Sequence, residues 1–344
     1  MPTGPEPSPE AERFELVEAR HAAIVEGLAE DVKRGLTSNP KSLSCRYIYD
    51  ARGSSLFDDI CALPEYYPTR SEDEILARRA ETIASMMPED SLLVELGAGS
   101  STKTRHLIEA FLVRSDALLY LPLDISRAAL ESAGPQLINE YPGLSVRALV
   151  GEYARGLEWL SKNEQRDKLV LWLGSNIGNL DRPTALQFLR KVRSTLVGRD
   201  RFLVGIDLRK DGETLEAAYD DASGVTERFN KNILRRINRE LGGNFDLDSF
   251  RYDAQYRETE GRVVMQLISQ VAQTVRIESL DLDIRFQAGE AIHTEDSYKY
   301  SLAEIDTLAD EAGFSVKARW TDDLGYFSLN LLEPTGIKRW QPKG

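Results

Sequence analysis

The strongest constraint on the fold is an alternation of apolar, strand-like segments with helical segments from Ser71 to about residue 209. Apolar runs with few polar interruptions are typical of strands buried on both faces, as in a parallel sheet covered by helices. Five such runs follow one another: SLLVELG, LLYLPLD, VRALVGE, KLVLWLGS and FLVGIDL. The alternation predicts a doubly wound α/β domain, with one of its helices starting at Ser101.

The alternation breaks after Asp207. Helical patterns around 214–222 and 226–241 precede the segments RVVMQLISQVAQTVRI and LDLDIRF, which are typical of antiparallel strands. A helix beginning at Ser301, with the capping-box spacing SLAE, and the strand-like YFSLNLLE are expected to rejoin the main sheet. We therefore predict a main domain of residues 71–209 and 300–344, and a second, α+β domain of residues 12–70 and 210–299.

The N-terminal region carries three different patterns. Residues 1–11 are rich in proline and glutamate and predict a loose tail, since they cannot bury enough apolar surface. Residues 12–34 space their apolar positions mainly on one helical face and predict a helix. Residues 41–70 look loop-rich, and their aromatic residues could form either a small satellite core or the wall of a ligand site. Those residues are Tyr47, Tyr49, Phe57, Tyr66 and Tyr67.

Composition narrows the range of partners. The formal net charge of -13 argues against a nucleic-acid backbone or an anionic membrane, because both would repel the chain at long range. The sequence has no run of about 18 apolar residues, and MPTGPEPSPEAE does not resemble a signal peptide. Cys45 and Cys61 lack metal-ligand spacing, and the three histidines are far apart in sequence. We expect a cytoplasmic monomer without disulfide, metal, nucleic-acid or membrane partners.

A glycine-rich turn follows the first apolar strand, in VELGAGSS. Gly97 and Gly99 permit a tight turn between strand and helix, and let a ligand approach the backbone. A dinucleotide-binding fold would place Gly or Ala three residues after Gly99, where this chain has Thr102. Together with Glu95 and the E-x-G-x-G form, this favours S-adenosylmethionine over a nicotinamide dinucleotide.

Two further acidic residues end the next two predicted strands. Asp124, in LYLPLDIS, fits the position from which a carboxylate reaches the ribose hydroxyls of such a ligand. Glu152, in LVGEY, could meet the adenine amino group or could be an ordinary surface residue. The sequence leaves these alternatives open.

Seven blocks of the sequence form a pattern that runs from about Arg46 to the C-terminus: YDARGSSLFDDI, LPEYYPTR, VELGAGSSTKTR, LWLGSNIGNL, AYDDASGVTERFN, INREL and HTEDSYK. Taken together and in this order, they resemble the histidine-specific Nα-methyltransferases of ergothioneine biosynthesis. The resemblance implies a Rossmann-like class I methyltransferase domain, a substrate-recognition domain, and transfer of three methyl groups from S-adenosylmethionine to the α-amino nitrogen of L-histidine, giving hercynine and S-adenosylhomocysteine.

The same resemblance implies roles for individual residues. Asn179 and Tyr219, with Thr226 nearby, would hold the amino and carboxylate end of histidine. Tyr49 would lie close to the amine, where we take it as the candidate proton relay, and Phe57 would form another wall of that pocket. The remaining assignments are imidazole recognition by Tyr66, Glu295 and Ser297, packing by Met265, and cofactor binding by Glu95, Gly97, Gly99, Lys103, Asp124, Glu152, Tyr153 and Gly174. Glu152 departs from the Asp expected in the family.

The spacing of Glu295 and Ser297 agrees with these roles, because residues two apart in a strand face the same side. Both side chains can bind imidazole nitrogens, although they could instead be exposed polar residues on an edge strand. Three alternative functions remain open: the same chemistry on another amino acid such as tryptophan, an amino-acid or nucleotide sensor without activity, and a hydride-transferring oxidoreductase.

Overall fold

The computed structural model describes residues 13–19 and 24–336, and it divides them into two compact units. Unit 1 contains residues 13–19, 68–208 and 300–336, and unit 2 contains residues 24–67 and 209–299. The predicted tail, residues 1–11, lies outside the described residues, as do residues 337–344 of the predicted main domain.

In the described part of the chain we number eleven α-helices. They are α1 (Ile24–Thr37), α2 (Ala51–Cys61), α3 (Tyr67–Ser85), α4 (Arg105–Arg114), α5 (Arg127–Glu140), α6 (Tyr153–Asn163), α7 (Arg182–Thr195), α8 (Gly212–Tyr219), α9 (Val225–Asn230), α10 (Asn232–Leu241) and α11 (Leu302–Glu311). Short 3₁₀ helices lie at Cys45–Tyr47, Asn176–Asn179, Leu247–Ser249 and Glu278–Leu280.

The same residues contain fourteen strands. They are β1 (Phe14–Glu18), β2 (Lys41–Ser42), β3 (Leu92–Leu96), β4 (Leu118–Asp124), β5 (Leu144–Val150), β6 (Lys168–Trp172), β7 (Arg201–Asp207), β8 (Phe250–Arg257), β9 (Arg262–Ser269), β10 (Gln273–Ile277), β11 (Leu282–Phe286), β12 (Ala291–Tyr298), β13 (Phe314–Thr321) and β14 (Phe327–Pro334).

Unit 1 is built on one sheet with the order β1-β5-β4-β3-β6-β7-β14-β13 among the described residues. The strands from β1 to β7 in this order are parallel, whereas β14 is antiparallel to both β7 and β13. Every residue of β3 and β6 is buried, as their apolar sequences predict. This doubly wound sheet is the predicted Rossmann-like fold, and the C-terminal elements rejoin it through β13 and β14.

The prediction of one helix over residues 12–34 was wrong for its first part. Residues 14–18 form strand β1, which pairs in parallel with β5, with Phe14 opposite Val146. The Arg13 guanidinium donates hydrogen bonds to the carbonyl oxygens of Ile138 at 2.9 Å and Pro142 at 3.0 Å. Pairing with an existing sheet edge overrides the helical spacing of a short apolar run. This strand therefore belongs to unit 1 and not to the second domain.

Three other local predictions need correction. Residues 41–70 are not mainly loop, because helix α2 and the start of α3 lie in this segment. Asp50 caps α2 by accepting a hydrogen bond from the Gly53 N–H at 2.9 Å. The helix expected from Ser101 begins at Arg105, since Ser101 has a φ of 54° that no helix accommodates. The helix expected over 226–241 is interrupted at Lys231 and forms α9 and α10.

Unit 2 contains a sheet with the order β2-β12-β9-β8 and a separate hairpin of β10 and β11 among the described residues. The β9, β10 and β11 strands confirm the antiparallel segments expected from the sequence, whereas β8 was not predicted. No helix in the described part of the chain is long and apolar enough to cross a membrane.

A buried ion pair fixes the start of β6 beside the start of β7. The Lys168 ammonium lies 2.8 Å from Asp200, and the side chains are 2% and 1% exposed. The Asp200 carboxylate also accepts hydrogen bonds from the backbone N–H groups of Lys168 at 3.0 Å and Val197 at 2.8 Å. The pair thus anchors one end of the strand whose other end leads to Gly174 and Asn179.

We expect Asp200→Ala to lower the free energy of unfolding by ~3–5 kcal/mol, because it leaves a buried ammonium unpaired. Urea denaturation followed by circular dichroism measures the change. Glu158→Ala removes a partly exposed glutamate that pairs with Lys162 and Arg155, and it should leave stability almost unchanged. Equal stability losses in the two variants would contradict this account of the β6 end.

Candidate functional site

The turn after β3 depends on glycine. Gly97 and Gly99 have φ values of 76° and 51°, and Ser101 follows with 54°. A Cβ added at Gly97 would lie 2.5 Å from the Tyr153 hydroxyl, so a side chain is excluded by space as well as by conformation. At Gly99 no atom lies within 4 Å of an added Cβ, which leaves room for a ligand above the turn.

Asp124 connects this turn to the end of β4. One carboxylate oxygen accepts the Gly99 N–H at 2.9 Å, and the other accepts the Ser126 N–H at 2.8 Å. Burial raises the pKa of Asp124, while these backbone hydrogen bonds oppose the rise. Because a carboxylate offers about four acceptor positions, Asp124 retains capacity for the hydroxyl groups of a ligand.

The Glu95 carboxylate lies inside unit 1. It accepts hydrogen bonds from the Thr104 hydroxyl at 2.8 Å to each oxygen and from the Tyr120 hydroxyl, which in turn lies 2.9 Å from the Ser101 hydroxyl. Burial raises the pKa of Glu95 to about 7, although the hydrogen bonds from Tyr120 and Thr104 lower it. These contacts support the glycine turn from the protein side. A direct contact of Glu95 with the cofactor stays a prediction.

Glu72, on α3, was missed by the sequence analysis. Its side chain is fully buried, forms an ion pair with Lys103, and accepts the Gly174 N–H at 2.9 Å. No local motif marks it, because its partners are distant in sequence. It brings together two residues, Lys103 and Gly174, that were predicted to bind the cofactor.

The two residues that follow β5 are placed differently. Glu152 is exposed at the N-cap of α6. The Tyr153 ring packs 6.0 Å from that of Trp172 and 5.6 Å from that of Phe188, and its hydroxyl reaches Gly97. Tyr153 therefore lies at the glycine turn, whereas the exposed position of Glu152 leaves both of its sequence-based alternatives open.

The turn after β6 carries Asn179. Gly174 and Ser175 have φ values of 74° and 56°, and the 3₁₀ helix Asn176–Asn179 follows directly. The Ser175 hydroxyl accepts the Asp207 N–H at 3.0 Å, which ties the turn to the end of β7. Asn179 is half-buried at the end of this segment.

In unit 2, a continuous series of ring contacts joins four predicted site residues. The Tyr49 and Phe57 rings lie 5.7 Å apart, those of Phe57 and Tyr66 6.2 Å, and those of Tyr66 and Tyr219 6.0 Å. Phe229, which the sequence analysis did not single out, packs against Tyr49 at 5.2 Å. Tyr49 and Phe57 remain partly accessible, so the cluster is both a small core and an available aromatic surface.

The two other aromatic residues of the segment form hydrogen bonds with charged side chains. The Tyr47 hydroxyl donates a hydrogen bond to Asp31 at 2.9 Å, and the Tyr67 hydroxyl accepts one from Lys210 at 2.6 Å.

A polar trio continues from Tyr219. The Tyr219 and Ser297 hydroxyls are 2.8 Å apart, and the fully buried Lys299 ammonium donates to each at 2.7 Å. One hydroxyl donates to the other, so the second can direct its proton outside the trio. Lys299 was missed by the sequence analysis, where it appeared only as the last letter of HTEDSYK.

Glu295 lies on β12, opposite Met265 on β9 and two residues from Ser297. Glu295 and Ser297 are 8% and 4% exposed, so neither is an exposed edge residue. Burial and the charge of Asp296 raise the pKa of Glu295 to about 7, whereas Lys299 lowers it. A buried carboxyl that titrates near neutral pH is typical of functional sites.

Thr226 and Met265 lie deeper in unit 2. The Thr226 N–H donates to Asp221 at 2.7 Å. Burial raises the pKa of Asp221, but the hydrogen bonds from Thr226, Val225 and Ser223 together outweigh this and hold it at about 2. Met265 is 1% exposed. No group of three or more His, Cys, Asp or Glu side chains among the described residues is placed to hold a metal ion.

A glycine turn with an acceptor carboxylate at the next strand end, in a Rossmann-like sheet, is an arrangement that holds the ribose of a nucleoside-containing cofactor, and it fits an S-adenosylmethionine-dependent methyltransferase. The family model described as "Histidine-specific methyltransferase, SAM-dependent" matches residues 28–334. The chain belongs to this family. The resemblance, the enzyme class and the methyl donor expected from the sequence are thereby confirmed.

Three relatives illustrate the range of similarity. The chain is 44% identical to a histidine N-alpha-methyltransferase of Mycolicibacterium smegmatis, over 90% of this chain and 95% of that one. It is 30% identical to ergothioneine biosynthesis protein 1 of Neurospora crassa, over 92% of this chain and 36% of that one. It is 27% identical to a 4-dimethylallyltryptophan N-methyltransferase of Epichloe festucae var. lolii, over 92% of this chain and 98% of that one.

The raised pKa of Glu295 predicts a pH dependence of stability. The folded-state pKa of Glu295, about 7, exceeds the usual 4.5. The contribution of Glu295 to the free energy of unfolding is therefore fully present below pH 4.5 and is lost as the pH rises through about 7. The stability of the wild type relative to Glu295→Gln should therefore fall by ~3 kcal/mol between about pH 4.5 and pH 8.

Urea denaturation of both proteins over this pH range provides the measurement. Glu95 titrates in both proteins, so the comparison cancels its effect. Parallel stability curves would show that Glu295 has no raised pKa.

Proposed function

We propose that this chain transfers three methyl groups from S-adenosylmethionine to the α-amino nitrogen of L-histidine, forming hercynine for ergothioneine biosynthesis. Membership in the histidine-specific family supports the acceptor, as do relatives named for histidine N-alpha-methylation and for ergothioneine biosynthesis. The observation that carries the proposal is the buried Glu295 beside Ser297, next to an accessible aromatic surface in unit 2.

Glu295 recognises the imidazole ring. Its buried carboxyl requires a hydrogen-bonding partner, and an imidazole N–H supplies one, while a phenyl ring would leave it unpaired. Tyr66 and Ser297 complete the polar contacts of the ring, and Met265, opposite Glu295 on β9, packs beside it.

Tyr219 holds the amino-acid end of the substrate in unit 2, and the resemblance assigns Asn179 to the same end of the substrate. Lys299 donates a hydrogen bond to the Tyr219 hydroxyl, so the tyrosine enters the site with a fixed orientation and with a positive charge nearby that favours a carboxylate. The resemblance also assigns Thr226 to the amino-acid end of the substrate, near the amine.

Methyl transfer requires a neutral amine aligned with the methyl group, and S-adenosylmethionine when bound supplies that methyl on a sulfonium. An ammonium has no lone pair, so a proton must leave the nitrogen before each transfer, and Tyr49 relays it to water. The faces of Tyr49, Phe57 and Phe229 accommodate the growing positive methylated nitrogen by cation–π attraction.

In unit 1, the turn at Gly97 and Gly99 lies beneath the amino-acid tail of the cofactor, and Asp124 accepts hydrogen bonds from its ribose hydroxyls. The unobstructed space at Gly99 and the fixed orientation of Asp124 fit this ligand. Lys103, Tyr153 and Gly174 belong to the same site, with Glu95 beneath the turn. Glu152 keeps the adenine contact as its assigned role, from its position at the start of α6.

A second candidate function is the same chemistry on tryptophan or a related amino acid. The relative named 4-dimethylallyltryptophan N-methyltransferase supports it, at 27% identity. Glu295 and Met265 are the positions that distinguish the two substrates, because an indole ring needs more space and has one N–H donor without the second ring nitrogen of imidazole.

Replacing Glu295 with Ala should raise the KM for histidine at least ~20-fold and change kcat less, because the lost contact binds the ring and not the reacting nitrogen. Steady-state kinetics provide the measurement. Glu258→Ala, at an exposed glutamate of unit 2, serves as the control and should behave as the wild type. A KM within twofold of the wild type for Glu295→Ala would remove the proposed role in specificity.

The proposed function is tested by incubating the protein with isotope-labelled S-adenosylmethionine and each of the common amino acids, followed by mass spectrometry. Three added methyl groups on histidine support the proposal. Methylation of tryptophan in place of histidine supports the second candidate, and labelling of no amino acid means that the chain is not an amino-acid methyltransferase.

A further inference from the structure

The Glu72 carboxylate is packed tightly against the protein backbone. It is fully buried on α3, and both its oxygens lie 2.9 Å from the Gly174 nitrogen. A Cβ added at Gly205 on β7 would lie 2.0 Å from one of these oxygens. The carboxylate is therefore packed directly against the backbone of β7, and only glycine at position 205 leaves it room.

One side of Glu72 holds the turn after β6. Gly174 and the next residue, Ser175, both have positive φ values, a conformation that is costly for serine and persists only when its surroundings hold it. The hydrogen bond from the Gly174 N–H to Glu72 and the hydrogen bond from the Asp207 N–H to the Ser175 hydroxyl supply that support. This turn leads directly to Asn179.

The other side of Glu72 holds Lys103. The Lys103 ammonium forms an ion pair with the Glu72 carboxylate, and its side chain is 19% exposed whereas that of Glu72 is completely buried. Lys103 follows the glycine turn and precedes α4. The positive charge of Lys103 lowers the pKa of Glu95, and the negative charge of Glu72 raises it.

We propose that Glu72 is a positioning residue that holds the Lys103 ammonium for the carboxylate of the cofactor's amino-acid tail and, through Gly174, fixes the turn that carries Asn179. The inference rests on the proposed function for the identity of the cofactor site. A lysine side chain has four rotatable carbon bonds, so an ion pair with a fully buried carboxylate restricts where its ammonium can lie.

The two roles of Glu72 are separable by substitution. Glu72→Gln keeps an oxygen acceptor for the Gly174 N–H but removes the charge that holds Lys103. Glu72→Ala removes both contacts. We therefore expect Glu72→Gln to weaken binding of the cofactor selectively, and Glu72→Ala to raise the KM for histidine as well.

The test is calorimetric titration with S-adenosylhomocysteine in the absence of any methyl acceptor, on the wild type, Glu72→Gln, Lys103→Met and the double variant. Lys103→Met should weaken binding about tenfold or more, and Glu72→Gln about three- to tenfold. The double variant should bind within about twofold of Lys103→Met, since Glu72 acts through Lys103. Because no acceptor is present, the outcome does not depend on whether histidine is the substrate.

Glu81→Gln, at an exposed glutamate on the same helix, is the control and should bind as the wild type. Wild-type affinity for S-adenosylhomocysteine in Glu72→Gln would overturn the proposal. A fold-loss of affinity in the double variant equal to the product of the fold-losses in the two single variants would also overturn it. Thermal unfolding of each variant identifies loss of fold. If Glu72→Gln does not fold, Lys103→Met decides, and wild-type affinity in that variant overturns the proposal.

Discussion

Buried carboxylates hold the carboxyl ends of the parallel strands in unit 1, and the rest of that unit's site depends on them. Asp124 accepts the Gly99 N–H, and Glu72 accepts the Gly174 N–H. Burying a carboxylate is costly, and backbone N–H donors and a lysine offset that cost only in a defined geometry. The two turns are therefore fixed in conformations with positive φ, which glycine adopts readily but which are costly at Ser101 and Ser175.

Unit 2 also buries ionisable side chains, here a lysine and a carboxyl group. Lys299 is buried with two hydroxyl partners, and Glu295 is buried with a pKa raised to about 7. Because burial raises its pKa, the Glu295 carboxyl can accept a proton from a ring or share one with it. The partly accessible rings of Tyr49 and Phe57 supply the apolar surface that a methylated amine requires.

The sequence predicted the parts of the fold that are set by local patterns. Strands β3 to β7 were recognisable because they are continuously apolar, and the glycine turn because it needs positive φ. The short strand β1 was mistaken for a helix, since five residues carry too little periodicity to separate the two, and pairing with β5 decides its form. Helices α9 and α10 were predicted as one helix for a similar reason, because nothing in the amino-acid sequence marks the break at Lys231.

The candidate site shows the same division. Motifs and the resemblance supplied Tyr49, Tyr66, Tyr219 and Glu295, which the fold brings into unit 2. Glu72 and Phe229 were missed because their significance lies in contacts with residues distant along the chain. Burial, which raises the pKa values of Glu95 and Glu295, cannot be read from the identity of a residue and its neighbours in sequence.

The central claim is that Glu295 recognises the imidazole ring of the substrate. A crystal structure of the protein with L-histidine and S-adenosylhomocysteine tests it most directly. The account predicts an imidazole nitrogen within about 3.2 Å of a Glu295 carboxylate oxygen, with the α-amino nitrogen towards Tyr49. An imidazole ring bound elsewhere, with Glu295 in contact only with protein groups, would contradict it.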